Sequence, residues 1–244
     1  MTLFYIYLIM LFYIVCCKIL YTTHKVKILK LSFDSLLVSF LFFASIPVYV
    51  LVSIVLVFLE GTPILYKSKR LVTKTKEINV YKFRTMIVDA TSEKYDLKGT
   101  FMKDGFLNIP LSHKVYTPLG RILEKYQLVE LPQLINIIRN GMSIVGNRPL
   151  PKDNIEQFKK SNLDYKKRFH SPAGVTGISQ IVNKHKLTAR QRLELETLYS
   201  EVYLRGNVLS LDLKIIIYTI SYVFFSKNLS YEYAIDLLKS HIKK

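Results

Sequence analysis

The sequence contains no tryptophan, only two cysteines, and 18 acidic residues against 35 lysines and arginines among its 244 residues. The two cysteines, Cys16 and Cys17, are adjacent in an apolar run, so they exclude a fold stabilised by several disulfides. The shortage of acid leaves a net charge of +17, which indicates anionic partners: lipid head groups, phosphorylated substrates or nucleic acid. Half of the residues are hydrophobic and 22% are charged, which excludes both an intrinsically disordered chain and a polytopic membrane protein.

Several familiar functional motifs are also missing. The sequence has no Walker loop, no dinucleotide-binding glycine motif, no Cys/His set with zinc-ligand spacing and no Gly-Xaa-Ser-Xaa-Gly elbow. A membrane-tethered nucleic-acid binder would suit the net charge, but no recognition motif supports it, so we expect no nucleic-acid partner. Any chemistry must therefore come from basic side chains and a few carboxylates.

Two long apolar runs indicate a membrane protein. The first carries no charge over Met1–Cys17 and is followed by a group of lysines. It predicts a transmembrane helix over residues 1–23, and the positive-inside rule places residue 1 outside and the lysines in the cytoplasm.

The second apolar run, Ser35–Leu59, has Ser45 and Pro47 near its middle and basic clusters on both sides. Arms of about 12 residues reach only about 18 Å, whereas the hydrocarbon layer is about 30 Å thick. We therefore predict a re-entrant membrane hairpin over residues 31–60, bent at Pro47, with membrane lipids as partners. A kinked helix that spans the membrane is the alternative.

Residues 61–244 are predicted to form a cytoplasmic domain of the α/β class, mostly helical with a small sheet. The pattern predicts a strand at Asn79–Met86, a helix from Pro118, a helix at Leu128–Arg139, a loop at Gly141–Pro149, a helix capped by Thr188, and an apolar helix at Leu211–Phe225 that could lie in the membrane interface.

Four side chains of this domain are candidates for phosphate chemistry. Glu130 lies at a predicted helix start, where a phosphate and its counter-ion could share a site, although a plain helix-terminal acid would look the same. Arg148, next to a proline, is either a bidentate phosphate ligand or a solvated loop residue. Lys82 and Arg84 alternate on one face of the predicted strand, as they would in a phosphate-facing edge or in an ordinary amphipathic strand.

In combination, five ordered segments resemble the bacterial sugar transferases, which are monotopic polyprenyl-phosphate phosphoglycosyl transferases. In chain order the segments are Phe33-Asp34 ahead of Ser45 and Pro47; Gly61-Thr62-Pro63 with Arg70; Tyr81-Lys82-Phe83-Arg84-Thr85-Met86 with Asp89-Ala90; Leu119-Gly120-Arg121, Glu130-Leu131-Pro132-Gln133-Leu134 and Gly141-Met142-Ser143-Ile144-Val145-Gly146-Asn147-Arg148-Pro149; and Arg168, Pro172, Gly174-Val175-Thr176-Gly177-Ile178-Ser179-Gln180, Tyr199 and Leu211-Asp212-Leu213-Lys214. The resemblance covers about residues 30–225.

The resemblance implies a definite reaction. A sugar phosphate moves from a nucleotide sugar, usually a UDP-sugar, to polyprenyl (undecaprenyl) phosphate at the cytoplasmic face of the bacterial inner membrane. This step initiates the synthesis of a surface polysaccharide or glycoconjugate. The family uses an Asp-Glu pair, in which the Asp is the covalent nucleophile and the Glu, here Glu130, helps to bind Mg²⁺. A homodimer is also expected as a possible assembly. The resemblance assigns substrate or phosphate binding to Lys82, Arg84, Arg148, Arg168, Gln180 and Glu196, and the membrane hairpin to Ser45 and Pro47.

The sequence departs from the family pattern at the nucleophile, where Val129 replaces the Asp. Asn147 replaces a proline, Glu196 replaces an Asp, and Ala189 replaces a Trp. The alternatives are therefore an active enzyme with another nucleophile, either Glu130 or the lipid phosphate attacking directly, and a catalytically inactive homologue that binds the nucleotide sugar or the lipid phosphate. Because a valine cannot attack phosphorus, we expect the chain to form no covalent sugar-phosphate adduct and to be slower than its Val129→Asp form by several orders of magnitude.

Overall fold

The longest element of the computed structural model, which describes residues 25–103, 106–160, 163–182, 187–225 and 227–243, is helix α1 (Lys25–Glu60). It continues through Pro47 without interruption, and the Ser45 hydroxyl donates to the Phe42 carbonyl one turn earlier at 3.0 Å. The structure does not show the re-entrant hairpin bent at Pro47, which stays a prediction. The helix predicted over residues 1–23 lies outside the described residues.

One face of α1 packs against the rest of the protein in two stretches, one on each side of its middle. Val38 is buried in the main apolar core, whereas Val52 and Leu56 are buried in a second cluster with Phe83. Side chains on the opposite face are exposed and apolar: Leu36, Phe40, Ile46, Val50, Leu51, Ile54, Val57 and Phe58. An apolar face of this size is unusual on the surface of a soluble domain and is typical of contact with a membrane.

Buried polar contacts fix the first third of α1. Lys30 forms an ion pair with Asp212 and lies 3.9 Å from Asp34. The Ser143 hydroxyl donates to Asp34 at 2.5 Å, and the Tyr199 hydroxyl donates to Asp212 at 2.8 Å. Because these partners come from widely separated parts of the sequence, the beginning of α1 is held against the core by specific contacts as well as by apolar packing.

After α1 the chain forms an antiparallel hairpin of β1 (Leu65–Leu71) and β2 (Glu77–Phe83), in which Tyr66 lies opposite Lys82 and Arg70 opposite Ile78. The strand predicted at Asn79–Met86 is thus confirmed in part, but it begins earlier and ends three residues sooner. The Asn136 side chain accepts from the Tyr81 N–H at 3.1 Å and donates to the Asn79 carbonyl at 2.7 Å, which gives β2 hydrogen-bond partners on its second edge.

The next segment is a small subdomain around the buried side chain of Val115. It contains a 3₁₀ turn (Glu93–Tyr95), α2 (Leu97–Phe101) and the short pair β3 (Met102–Lys103) and β4 (Phe106–Leu107). It leads into the elements that carry the candidate site.

Helix α3 (Pro118–Lys125) begins where the sequence predicts, because the Thr117 hydroxyl accepts from the Gly120 N–H and Pro118 occupies the first turn. Gly120 lies so close to the Thr85 carbonyl that a Cβ there would be 2.0 Å from its oxygen, so only glycine fits. The helix predicted at Leu128–Arg139 forms as two pieces, a 3₁₀ helix (Leu128–Gln133) and α4 (Leu134–Asn140).

The predicted loop at Gly141–Pro149 is wrong in part, because it contains strand β5 (Ser143–Val145). This strand pairs in parallel with β6 (Gly174–Thr176), so that Ser143 lies opposite Gly174 and Val145 opposite Thr176. Both strands have three residues, too few to show a strand pattern in the sequence. Within the described ranges, the three sheets have two strands each.

The remaining elements are helical. They are α5 (Lys152–Lys160), a 3₁₀ helix (Lys166–His170), α6 (Ile178–Ile181), α7 (Ala189–Arg205), α8 (Val208–Phe225) and α9 (Tyr231–Ile242). The predicted cap of α7 is confirmed: Thr188 and Gln191 form a reciprocal capping box. Together with α1, α8 is one of the two described helices that are long and apolar enough to cross a membrane.

Candidate functional site

The candidate site is built around the carboxylate of Glu130, in the 3₁₀ helix between α3 and α4. Its Oε1 accepts from Lys82 Nζ at 2.8 Å and from Arg148 Nη2 at 3.0 Å. Lys82 comes from β2 and Arg148 from the loop after β5, so three separate elements meet at one carboxylate. The structure therefore brings together Lys82, Glu130 and Arg148, which the sequence placed far apart.

The charges of the cluster act on one another's pKa values. Burial alone would lower the pKa of Arg148, but the charge and hydrogen bond of Glu130 outweigh burial and raise it above its usual value. Burial lowers the pKa of Lys82, although Glu130 opposes the shift. Both side chains are therefore held in a partly desolvated place, where their charges act strongly on any bound anion.

Arg70 adds a third cation to this cluster. It lies on β1, and burial followed by repulsion from Arg148 lowers its pKa to about 10. The guanidinium Nε donates to the Ser68 hydroxyl at 2.8 Å. Lys82 and Arg148 contact Glu130 and Arg70 lies on the neighbouring strand, and the excess of positive charge suits a ligand with two or more negative charges, such as a diphosphate.

The buried ion pair of Arg168 and Glu196 contacts the backbone of Arg148. Arg168 Nη2 donates to the Arg148 carbonyl at 2.6 Å, while Arg168 Nε donates to Glu196 Oε2 at 2.7 Å. The other carboxylate oxygen of Glu196 accepts from the Ser179 hydroxyl at 3.1 Å. Arg168 is 2% exposed and Glu196 is fully buried, so neither can touch a substrate directly. The direct phosphate contact expected of both stays a prediction, and the contacts seen here place both residues behind Arg148.

Asn147, the residue before Arg148, ties this loop to α7. Its Nδ2 lies 3.0 Å from the Glu196 carbonyl, 3.0 Å from Ser200 Oγ and 2.8 Å from the Arg168 carbonyl. A proline at this position could form none of these contacts. The amide therefore supplies hydrogen bonds where the family pattern has a rigid ring.

The family profile described as "Bacterial sugar transferase" matches residues 25–226, which include every residue of this cluster. The chain belongs to the bacterial sugar transferase family. It is 30% identical to the uncharacterized sugar transferase EpsL of Bacillus subtilis over 203 residues, covering 83% of this chain and 90% of EpsL. It is also 30% identical to the exopolysaccharide production protein ExoY of Rhizobium meliloti over 203 residues, covering 81% and 86% of the two chains.

A longer relative has a name that states a reaction. The Escherichia coli protein named UDP-glucose:undecaprenyl-phosphate glucose-1-phosphate transferase is 28% identical over 202 residues, which are 82% of this chain and 41% of that protein. The shared part is thus nearly the whole of this sugar transferase chain but less than half of the longer relative.

Val129 occupies a different environment from its neighbour Glu130. It is 1% exposed and packs in the apolar cluster of Val52, Leu56, Phe83 and Leu123. The Val129 side chain of this sugar transferase therefore packs beneath α1, and the expectation that residue 129 faces the metal and the phosphates stays a prediction.

Two further expected site residues lie elsewhere. Arg84 falls just beyond the end of β2, and its Nη2 donates to the carbonyls of Glu60 and Gly61 at 2.7 and 2.9 Å. It therefore caps the carboxyl end of α1 and does not join Lys82. Gln180 is half-buried in α6 and donates to the carbonyl of Val175 in β6 at 2.7 Å.

The donor set of the cluster suits Mg²⁺, as the family resemblance requires. Among the described residues no three His, Cys, Asp or Glu side chains come together as a metal site. Mg²⁺ does not need such a cage, because it keeps several waters and is commonly bound by one or two carboxylates together with substrate phosphates. Glu130, in contact with Lys82 and Arg148, is the carboxylate of the cluster that could meet this requirement.

Proposed function

We propose that this chain transfers a sugar phosphate from a UDP-sugar to polyprenyl phosphate at the cytoplasmic face of the bacterial inner membrane, as the first step of surface polysaccharide synthesis. The observation that carries the proposal is the convergence of Lys82 and Arg148 on Glu130. The names of relatives in Escherichia coli, Klebsiella pneumoniae and Komagataeibacter xylinus support the same reaction.

The cluster suits phosphoryl transfer for a physical reason. Charge develops on the phosphoryl oxygens and on the leaving group, so catalysis depends on positioning and on fixed positive charge. Arg148 and Arg70 provide guanidinium groups that can grip phosphate oxygens bidentately, and Lys82 provides a compact charge beside them. When bound through Glu130, Mg²⁺ would supply further neutralisation of the diphosphate.

The packing of α1 supports a monotopic arrangement for this reaction. Leu37, Val38 and Phe42 pack on one apolar cluster, and Tyr49 and Leu56 on another. The stretch between Phe42 and Tyr49 rises only about 10 Å, far less than the roughly 30 Å of a hydrocarbon layer. A helix that contacts the same domain on both sides of this stretch cannot also cross the membrane there, so we propose that both ends of α1 lie on the cytoplasmic side.

A second candidate is a binding protein that retains the nucleotide-sugar or lipid-phosphate site without turnover. The apolar surroundings of Val129 favour it, because the family nucleophile is missing and its position is used for packing. The two candidates differ in release of the nucleotide monophosphate and agree in ligand binding, so both quantities must be measured.

The test uses the full chain in detergent or nanodiscs with Mg²⁺, polyprenyl phosphate, and UDP-glucose or UDP-N-acetylgalactosamine. Release of UMP supports the transferase, and binding of the nucleotide sugar without release supports the binding protein. Loss of a charge-assisted hydrogen bond costs about 1.5–3 kcal/mol, so Arg148→Ala should weaken binding by about 10- to 100-fold. Lys69→Ala is the matched control, because Lys69 is exposed on the same strand as Arg70 but on its other face. Absence of both binding and release would contradict both candidates.

The topology is tested separately by labelling single cysteines placed at positions 28 and 64 in a Cys16→Ser, Cys17→Ser background. Both should react with a membrane-impermeant reagent only from the cytoplasmic side. Labelling from opposite sides would show that α1 spans the membrane. The native cysteines are the only two in the sequence, so the background is free of other thiols.

A further inference from the structure

An exposed tyrosine, Tyr66, lies on β1 directly opposite Lys82 of β2. Directly opposite residues of an antiparallel pair point to the same face, with Cβ atoms about 4.5–5.5 Å apart. Lys82 Nζ in turn donates to Glu130 Oε1 at 2.8 Å. Tyr66 therefore flanks the lysine that contacts Glu130, on the same face of the hairpin.

The alternation of β1 separates this face from the apolar packing beneath α1. Leu65 packs against the cluster that contains Phe83 and Val129. Because successive residues of a strand point to opposite faces, Tyr66 points away from that cluster, and Arg70, four residues further along β1, shares its face. One face of the hairpin therefore carries an aromatic ring and two cations of the site.

Tyr66 is held in the open on a fixed support. It is 52% exposed, and its hydroxyl forms no hydrogen bond with the part of the chain that the structure describes. Its strand is paired with β2 along its whole length, and the Arg84 N–H donates to the Ile64 carbonyl just before the strand begins, at 2.9 Å. An exposed aromatic side chain on a rigid strand beside a phosphate site is suited to stack on a flat ring of the ligand.

A nucleotide sugar provides such a ring at the end of the molecule that does not react. Its sugar-linked phosphate must approach Glu130 and Mg²⁺, whereas its nucleobase takes no part in the reaction and can lie at the exposed rim of the site. The cations alone would bind any diphosphate, so a further contact is needed to favour a nucleotide. Every nucleobase has a flat π face, and stacking on an aromatic side chain is a favourable contact for any of them.

We propose that the uracil ring of the nucleotide sugar stacks on Tyr66 while its phosphates bind to Lys82 and Arg148. This inference rests on the proposed function, because both candidate functions require a bound nucleotide sugar. The tyrosine then fixes the nucleotide end of the substrate and the cations fix the diphosphate. Binding energy from a part of the substrate remote from the reaction thereby helps to position the phosphate.

The test compares ligands that contain the base with ligands that lack it, using the full chain in detergent with Mg²⁺. Tyr66→Ala should weaken the binding of UMP and UDP by about 5- to 150-fold and leave the affinity for pyrophosphate and glucose 1-phosphate unchanged. Tyr66→Phe keeps the ring and should bind all four ligands like the wild type. Tyr233→Ala is the matched control, because Tyr233 is 48% exposed on α9, which contributes no residue to the cation cluster.

Tyr66→Trp provides a second readout, because the sequence contains no tryptophan. The fluorescence of this single indole should fall in a saturable way when UMP is added and should not respond to pyrophosphate. In nanodiscs, brominated lipids should leave it unchanged. This measurement separates stacking on a base from the other common place of an exposed tyrosine near an apolar helix, which is the membrane interface.

Equal affinity of Tyr66→Ala and the wild type for UMP would overturn the role of Tyr66 and leave the transferase function standing. Loss of glucose 1-phosphate binding with unchanged UMP binding would overturn it in favour of a contact with the sugar. Quenching of Tyr66→Trp by brominated lipids without a response to UMP would overturn it in favour of a contact with the bilayer. A wild-type chain that binds neither pyrophosphate nor UDP would contradict the proposed function together with this inference.

Discussion

Replacement of Val129 by Asp is the sharpest test of how this site is built. The family pattern favours a gain of activity, whereas the packing of Val129 predicts a loss of stability. Burying a valine side chain contributes about 1.5–3 kcal/mol, and a buried polar group without a partner costs about 1–3 kcal/mol. We therefore expect Val129→Asp to lower the free energy of unfolding by about 3–5 kcal/mol. For a chain of this size that is a fall in Tm of about 10 °C.

The loss of stability caused by Val129→Asp should increase with pH. Burial among apolar side chains raises the pKa of an introduced Asp above its unfolded value of about 3.9. The folded state then binds more protons than the unfolded state between these two pKa values. The destabilisation is therefore smallest at low pH, grows as the pH rises through the folded pKa, and is complete above it. We expect a larger fall in Tm at pH 8 than at pH 5.

Two matched variants separate size from charge in this experiment. Val129→Asn has nearly the same shape as Val129→Asp but does not ionise, so its loss of stability should not change with pH. Val129→Thr keeps the branched shape and adds one hydroxyl, so its effect should be the smallest. Thermal unfolding in detergent is followed by circular dichroism, and UMP release is measured in parallel. If Val129→Asp is as stable as the wild type at pH 8 and gains orders of magnitude in rate, residue 129 faces the cations and our reasoning is refuted.

Three further predictions concern the supports of the site. Arg168→Met should destabilise the protein by about 3–5 kcal/mol because it leaves Glu196 buried without its cation, and the double variant Arg168→Met, Glu196→Leu should recover much of the loss in thermal unfolding. Lys30→Met should lower the free energy of unfolding by a similar amount, because it leaves the buried Asp212 without its cation. A wild-type Tm for this variant would show that the ion pair contributes little to holding α1 against the core. Pro47→Leu should favour a straight α1, so labelling of a cysteine at position 64 should shift toward the opposite side of the membrane, and unchanged labelling would show that Pro47 does not set the topology.

Much of the helical part of the fold could be predicted because its signals are local. Thr188 with Gln191, and Thr117 with Pro118, mark helix starts within four residues of sequence. Strand β5 could not be predicted in this way. It has three residues, is buried on both sides, and pairs with a strand about 30 residues further on, so only tertiary contacts define it.

The candidate site could be predicted in part for the same kind of reason. Lys82, Glu130 and Arg148 stand in recognisable motifs, and the structure brings them together. Arg84 was misplaced because β2 ends one residue before it, which frees its side chain to cap α1.

The contrast between Val129 and Glu130 explains how the site and the membrane helix are connected. Adjacent residues of a 3₁₀ helix point about a third of a turn apart, so one short element serves two environments. Val129 joins the apolar cluster that holds Leu56 of α1, and Glu130 joins the cation cluster on β2 and the Arg148 loop. A change in the packing of α1 at Leu56 therefore acts on the backbone that positions Glu130. An acid at position 129 would have to leave the apolar cluster to reach a phosphate beside Lys82 and Arg148.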